Sequence, residues 1–172
     1  MSHYGIYGAW RQDGALVTIR KSRGPYLGML DLPGGSPEAA ESPIQTLERE
    51  LLEECGVTGI TVGSWHRFDF LVEFTSAGTP LNEHHRGRLA LVEVVTLVTS
   101  ICDVEDVAAV ELIDPSNHAP SELTPALQLA ISGYVNVSGT QGAVLAGPTL
   151  WRRTGCVSVD QVVCWALVWA RR

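Results

Sequence analysis

The stretch Gly35–Val57 reads G-S-P-E-A-A-E-S-P-I-Q-T-L-E-R-E-L-L-E-E-C-G-V, and it decides the reading of the whole chain. Glu50, Glu53 and Glu54 stand at i, i+3 and i+4, so on a helix their carboxylates share one face. Residues 36–57 hold no lysine and one arginine, Arg49, where a merely solvated acidic helix would interleave lysines at i+4. Packed like charges are uphill unless a cation neutralises them. Ligands that are all oxygen suit a hard divalent ion such as Mg²⁺ or Mn²⁺.

Local signals predict a helix from Pro43 to Cys55. Ser42 is a good N-cap, Pro43 suits the first helical position, and Gln45 completes a capping box. Ile44, Leu47, Leu51 and Cys55 form an apolar stripe at helical spacing, and Gly56 is placed to close the helix in the left-handed conformation. Just upstream, Leu32-Pro33-Gly34-Gly35 is a tight turn whose glycines let backbone approach a ligand.

The stretch resembles the signature of the Nudix hydrolases: Gly, five residues, Glu, seven residues, Arg-Glu, an aliphatic residue, one residue, Glu-Glu, one residue, Gly, aliphatic. Gly35, Glu41, Arg49, Glu50, Leu51, Glu53, Glu54, Gly56 and Val57 occupy its defined positions, and a motif of that many fixed positions is specific. Leu32-Pro33-Gly34 is similar to the family's usual lead-in. The resemblance implies an α+β fold, a Nudix-type α/β/α sandwich around a mixed β-sheet. It implies a Mg²⁺-dependent (or Mn²⁺-dependent) nucleotide pyrophosphohydrolase that uses water to cleave the pyrophosphate bond of a nucleoside diphosphate linked to a further group X. By carry-over, Glu50, Glu53 and Glu54 are the expected metal ligands. Glu53, Glu54 and Arg49 are the expected catalytic set: Glu53 or Glu54 orients or deprotonates the water, and Arg49 holds a carboxylate in place. Glu41 is a supporting carboxylate, and Gly34 and Gly35 shape the substrate-binding loop.

Composition sets the wider frame. The chain has 172 residues, 45% of them apolar, and a net charge of −7. That supports one domain with a real core and gives no general basic footprint for a nucleic-acid polymer. No secretory signal or membrane span is visible, so the cytoplasm is the expected compartment. Cys55, Cys102, Cys156 and Cys164 form no C-x-x-C pair and are expected to be reduced. The expected partner is a small nucleotide; the family commonly forms dimers, which makes a homodimer an expectation of the resemblance.

Along the chain, strands are predicted over 4–11, 15–20, 30–32, 58–62, 67–74, 89–99 and 107–113, with Asp13-Gly14 as a hairpin signal. Residues 81–88 read as polar, with His84 and His85 a solvated pair. A second helix is predicted over 121–131, capped by Ser121 and closed by Gly133. The Nudix domain is expected to span 1–135, with 136–172 a C-terminal extension carrying Trp151, Trp165 and Trp169. Arg20, Lys21 and Arg23 lie where a phosphate patch can form; Arg20 and Arg23 are taken as substrate-binding candidates, against the reading of plain surface charge. Tyr26 or Phe70 is a candidate to stack on a base, and Glu93 an isolated charge in an apolar run. Val57–Thr79 contains no proline and 27–133 no tyrosine. The resemblance uses those as marks of ADP-ribose and dinucleoside polyphosphate hydrolases, so a nucleoside triphosphate, a modified nucleotide or a small conjugate remains. The alternative class is a regulatory module that binds a nucleotide metabolite without cutting it; such proteins usually lose box carboxylates. Isoprenoid isomerases of the same fold bring a catalytic cysteine and metal-binding histidines that find no match here.

Overall fold

The computed structural model describes residues 2–96, 104–137 and 149–151. Nine strands, two α-helices and two single 3-10 turns follow one another along these residues. β1 (Ser2–Ala9) leads into a tight hairpin formed by β2 (Arg11–Gln12) and β3 (Ala15–Lys21). Its turn residues Asp13 and Gly14 have φ of 51° and 84°, the left-handed pair that a two-residue hairpin requires. β4 (Leu30–Asp31), β5 (Gly34–Gly35) and α1 (Pro43–Cys55) follow. β6 (Ile60–Phe74) and β7 (Pro80–Val94) form a long hairpin, and β8 (Val107–Ile113), α2 (Pro125–Val137) and β9 (Thr149–Trp151) complete the order.

One sheet runs β5-β1-β7-β6-β9, with β1–β7 and β6–β9 parallel and the other pairs antiparallel. In the smaller sheet β8 covers one edge of β3, while β2 and β4 share the other. Strand alternation sorts the core into two layers. Ile6, Val17, Ile19, Ala90 and Val92 pack with Leu47, Leu51 and Cys55 of α1. Tyr7, Leu16, Phe68, Phe70 and Leu89 pack with Leu123, Ala126, Leu127 and Ala130 beside and on α2. The sheets therefore lie between the two helices, as the α/β/α expectation requires. No helix among the described residues is long and apolar enough to cross a membrane.

Three expectations change. The predicted strands over 58–62 and 67–74 are one strand, and the break between them is a β-bulge: Val62 pairs with Val92 and Ser64 with Leu91, leaving Gly63 as the extra residue. Residues 81–88 are strand, not a solvated loop; parallel pairing with Ser2–Ile6 turns His85 and Gly87 inward, and His85 is only 4% exposed. The second helix starts at Pro125 and passes through Gly133 to Val137. Leu123 bridges to Leu30 and keeps the preceding chain extended. The Thr124 hydroxyl accepts from the Leu127 N–H (3.4 Å) at the helix start, in the role expected of Ser121. Of the extension, Thr149–Trp151 pairs with Phe70–Val72. Trp165, Trp169, Cys102, Cys156, Cys164 and residues 97–99 of the predicted strand lie outside the described residues.

Candidate active site

The caps of α1 are those its sequence predicts. Ser42 and Gln45 form the reciprocal capping box, Pro43 opens the helix, and Gly56 closes it at φ 67°. Leu47, Leu51 and Cys55 are fully buried. Their burial fixes the helix's rotation and turns Glu50 and Glu54 toward the glycine turn. Glu54 is 2% exposed, and its Oε2 accepts the Gly34 N–H at 2.7 Å. The Glu50 carboxylate lies over Gly35: a Cβ there would sit 2.5 Å from Oε1. At Gly34, φ is 139° and a Cβ would run into the Ile6 carbonyl, so a residue with a side chain is excluded on both counts.

Arg49 holds the acidic side chains in register. Its Nε donates to Glu41 Oε1 (2.8 Å) and one terminal nitrogen to Glu41 Oε2 (3.1 Å), a two-pronged grip. The other terminal nitrogen bridges Glu50 Oε1 (2.9 Å) and Glu53 Oε2 (3.1 Å). These bonds hold the Glu41 carboxyl down at about 2, with Arg49 the largest cause, and raise the Arg49 guanidinium further. Burial acts in the opposite direction deeper in. It raises Glu50 despite Arg49, and it pushes Glu54 up to about 8 against the Gly34 N–H and the Lys21 charge. Without a cation, burial therefore favours the protonated form of Glu54.

Among the described residues no three His, Cys, Asp or Glu side chains converge as a ready-made metal cage. The donor chemistry nevertheless fits a hard divalent ion. Glu50 and Glu53 each spend one oxygen on Arg49 and Glu54 one on Gly34, so one oxygen of each faces no such partner. Mg²⁺ habitually takes one or two carboxylates and completes its sphere with water and substrate phosphate.

The NUDIX domain family matches residues 2–129. The chain belongs to the Nudix family. It is similar to an 8-oxo-dGTP diphosphatase of Haemophilus influenzae, 44% identical over 54 residues. That match spans 31% of this chain and 40% of the curated relative's length. Among solved structures, a MutT NUDIX hydrolase of Burkholderia pseudomallei superposes with a TM-score of 0.54 at 21% identity, covering 77% of this chain and 97% of that one. A NUDIX hydrolase of Nitrosomonas europaea gives a TM-score of 0.65 at 15% identity, covering 86% and 78%.

Within this Nudix domain the structure brings Gly34, Gly35, Glu41, Arg49, Glu50, Glu53 and Glu54 together. Arg20 and Arg23 are tied up elsewhere. Arg20 donates to both oxygens of Glu111 (2.5 and 3.0 Å) and to the Gly28 carbonyl, and Arg23 pairs with Glu105 and Asp106. Lys21 is the cation of this segment that acts on the acidic site. It is mostly buried, lies 3.6 Å from Asp106, and opposes the upward shifts of Asp31, Glu50 and Glu54. Strand alternation was the available signal, since neighbours on β3 face opposite ways. Glu93 is exposed.

On the other face of the main sheet lies a polar cluster that no local spacing announces. His85 Nε2 meets the Tyr7 hydroxyl at 2.9 Å and Nδ1 meets the Tyr26 hydroxyl at 3.0 Å. Burial pushes the imidazole down to about 3 and both phenols up, so the cluster is neutral. A neutral His85 donates from one ring nitrogen and accepts at the other, so one phenol donates to it and the other accepts, and the Tyr7 hydroxyl also meets His3 Nε2 at 3.4 Å. Tyr26 and Phe70, candidates for stacking on a base, are 7% and 3% exposed and pack in the interior.

Proposed function

We propose that this Nudix protein is a divalent-metal-dependent pyrophosphohydrolase. It uses water to split a phosphoanhydride link of a nucleoside diphosphate joined to a further group X. The observation that carries this reading is the placement of Glu54 and Glu50 against the Gly34–Gly35 backbone, with Glu53 tied to Glu50 on the same helix flank through Arg49. Nucleoside triphosphates are the first substrates to try, 8-oxo-dGTP among them, because that is the substrate named for the Haemophilus influenzae relative.

In this proposal Glu50, Glu53 and Glu54 hold Mg²⁺ or Mn²⁺. When bound there, such an ion would supply Lewis acidity toward phosphoryl oxygens and would offset charge in an in-line displacement. The chain's own residues do the positioning. Arg49 keeps Glu50 and Glu53 from splaying apart and is itself anchored by Glu41. Gly34 and Gly35 let phosphate oxygens approach the helix flank. Lys21 faces the negative charge of the substrate, while Arg20 and Arg23 serve the β3–β8 edge. Glu53 or Glu54 orients the attacking water and takes its proton; the high proton affinity of buried Glu54 suits it to that step. Water attacks one phosphorus and the other phosphate leaves.

The test is a panel of nucleoside triphosphates, modified nucleotides and nucleotide conjugates, assayed for phosphate and pyrophosphate release with and without Mg²⁺. Running it in ¹⁸O-labelled water locates the attacked phosphorus by mass. Metal-dependent release is the expected result. Tight nucleotide binding with no release from any member would replace the proposal with a non-catalytic, metabolite-sensing module.

A further inference from the structure

The two layers of the main sheet leave one conspicuous electrostatic conflict. Arg67 of β6 and Arg88 of β7 stand directly opposite each other in the ladder. Opposed residues project from the same face, and like charges placed so are destabilising. Among the described residues neither arginine has a carboxylate or hydrogen-bond partner. The next row on that face shows how the chain resolves such a conflict when only structure is at stake: Asp69 takes Arg86 at 2.9 Å and His84 at 2.7 Å.

The position of the unresolved pair gives it meaning. Its row continues across the sheet: Arg67 pairs with Arg88, Arg88 with Ile6, and Ile6 with Gly35. All lie on the α1 face, because Ile6, Ala90 and Val92 pack against that helix. Gly35 is where the Glu50 carboxylate rests. One cross-strand line therefore carries clustered carboxylates at one end and two uncompensated guanidiniums at the other. Two strand spacings put the Arg88 backbone about 10 Å from the glycine turn, a separation that a polyphosphate chain and an extended arginine side chain together can span.

We propose that Arg67 and Arg88 form an anion subsite for the part of the substrate's phosphate chain that lies beyond the cleaved link. A terminal phosphate shared between two guanidiniums, each offering a planar pair of donors, relieves their repulsion. The substrate class is then a nucleotide bearing three or more phosphates, rather than one that ends at the second. This rests on the pyrophosphohydrolase reading of the carboxylate site.

The probe is inorganic tripolyphosphate, titrated calorimetrically at low ionic strength in EDTA into the full chain and into the double variant Arg67→Gln/Arg88→Gln. The wild type is expected to bind it and the double variant to bind at least tenfold more weakly, with Arg88→Lys between them. The melting temperature of the double variant should be unchanged or higher, because the repulsion is gone. In turnover assays the KM for a nucleoside triphosphate should rise about tenfold in the double variant with kcat near wild type, while the KM for the matching nucleoside diphosphate stays within twofold. Equal tripolyphosphate affinity in both proteins, no binding to the wild type, or an equal KM rise for both nucleotides overturns the subsite. Glu53→Gln separates the two ideas. It should abolish turnover and keep tripolyphosphate affinity; persisting turnover condemns the carboxylate reading, and the calorimetric arm still judges the arginines.

Discussion

The two sides of β1 carry two polar clusters of opposite temper. On the flank of α1, Glu41, Glu50 and Glu53 are linked through the one Arg49 guanidinium, with Glu54 buried beside them. On the α2 side, Tyr7, Tyr26 and His85 are neutral and buried, and each ring nitrogen of His85 meets a phenol hydroxyl. The first cluster is incomplete by construction: it holds excess negative charge and spare oxygen lone pairs. The second is paired within itself, both ring nitrogens of His85 being taken by phenols. Burial of polar groups is tolerated in both cases, but only satisfied neutral groups come free of a need for counter-charge. A cluster left unsatisfied marks the place where chemistry is expected, and a satisfied one marks a support.

The sharpest way to break that contrast is at the carboxylates. Glu53→Gln and Glu54→Gln should each lower kcat by about 10³-fold or more, roughly 4 kcal/mol of transition-state stabilisation. Glu53 is half exposed, so its variant should melt with the wild type. In Glu54→Gln the amide oxygen still accepts the Gly34 N–H. Steady-state kinetics with either variant at near-normal rate would remove the carboxylates from the reaction.

The neutral cluster should speak through stability. His85 titrates at about 3 when folded and near 6.5 in an unfolded chain. The unfolded state therefore binds more protons between those values. The stabilisation is complete above pH 6.5 and is lost as pH falls through that window, by an amount on the order of 3 kcal/mol by pH 4. Urea denaturation at pH 7 and pH 4 reads it, and His85→Gln should flatten the difference. An unchanged slope in that variant would mean that other groups set the acid sensitivity.

A milder cut tests the organiser. Arg49→Lys keeps the charge and loses the fork that spans Glu41, Glu50 and Glu53. We expect kcat to fall by about 10- to 100-fold and the Mg²⁺ concentration for half-maximal rate to rise. A metal titration of activity that overlays the wild type would demote Arg49 to a surface ion pair. The smallest effect belongs to Tyr26→Phe, which strips one hydrogen bond from His85. About 1 kcal/mol of stability should go with activity within about threefold, and a larger activity loss would show that the neutral cluster reaches into the reaction.

Much of the acidic site was legible because its parts are near neighbours in the chain. Ser42, Gln45 and Gly56 cap α1 as their positions predict, and the spacing of Glu50, Glu53 and Glu54 puts them on one flank of any helix that forms there. Arg20 and Arg23 show where such reasoning stops. A sequence states that cations precede the glycine turn; it does not state that β8 will arrive beside β3 with Glu111 and deliver Glu105 and Asp106 to engage them. The same holds for His85, whose partners lie 78 and 59 residues away and whose strand is masked by glycine and arginine at alternating positions.

The chain alone thus determined the helix, its caps, the acid-bearing flank and the family, since each rests on contacts within a few residues. Tertiary structure decided which cation faces the acids, which histidine is buried and neutral, and that Arg67 and Arg88 share a row with Gly35. Those outcomes depend on strand register, and register is set by which distant faces bury together rather than by any local preference.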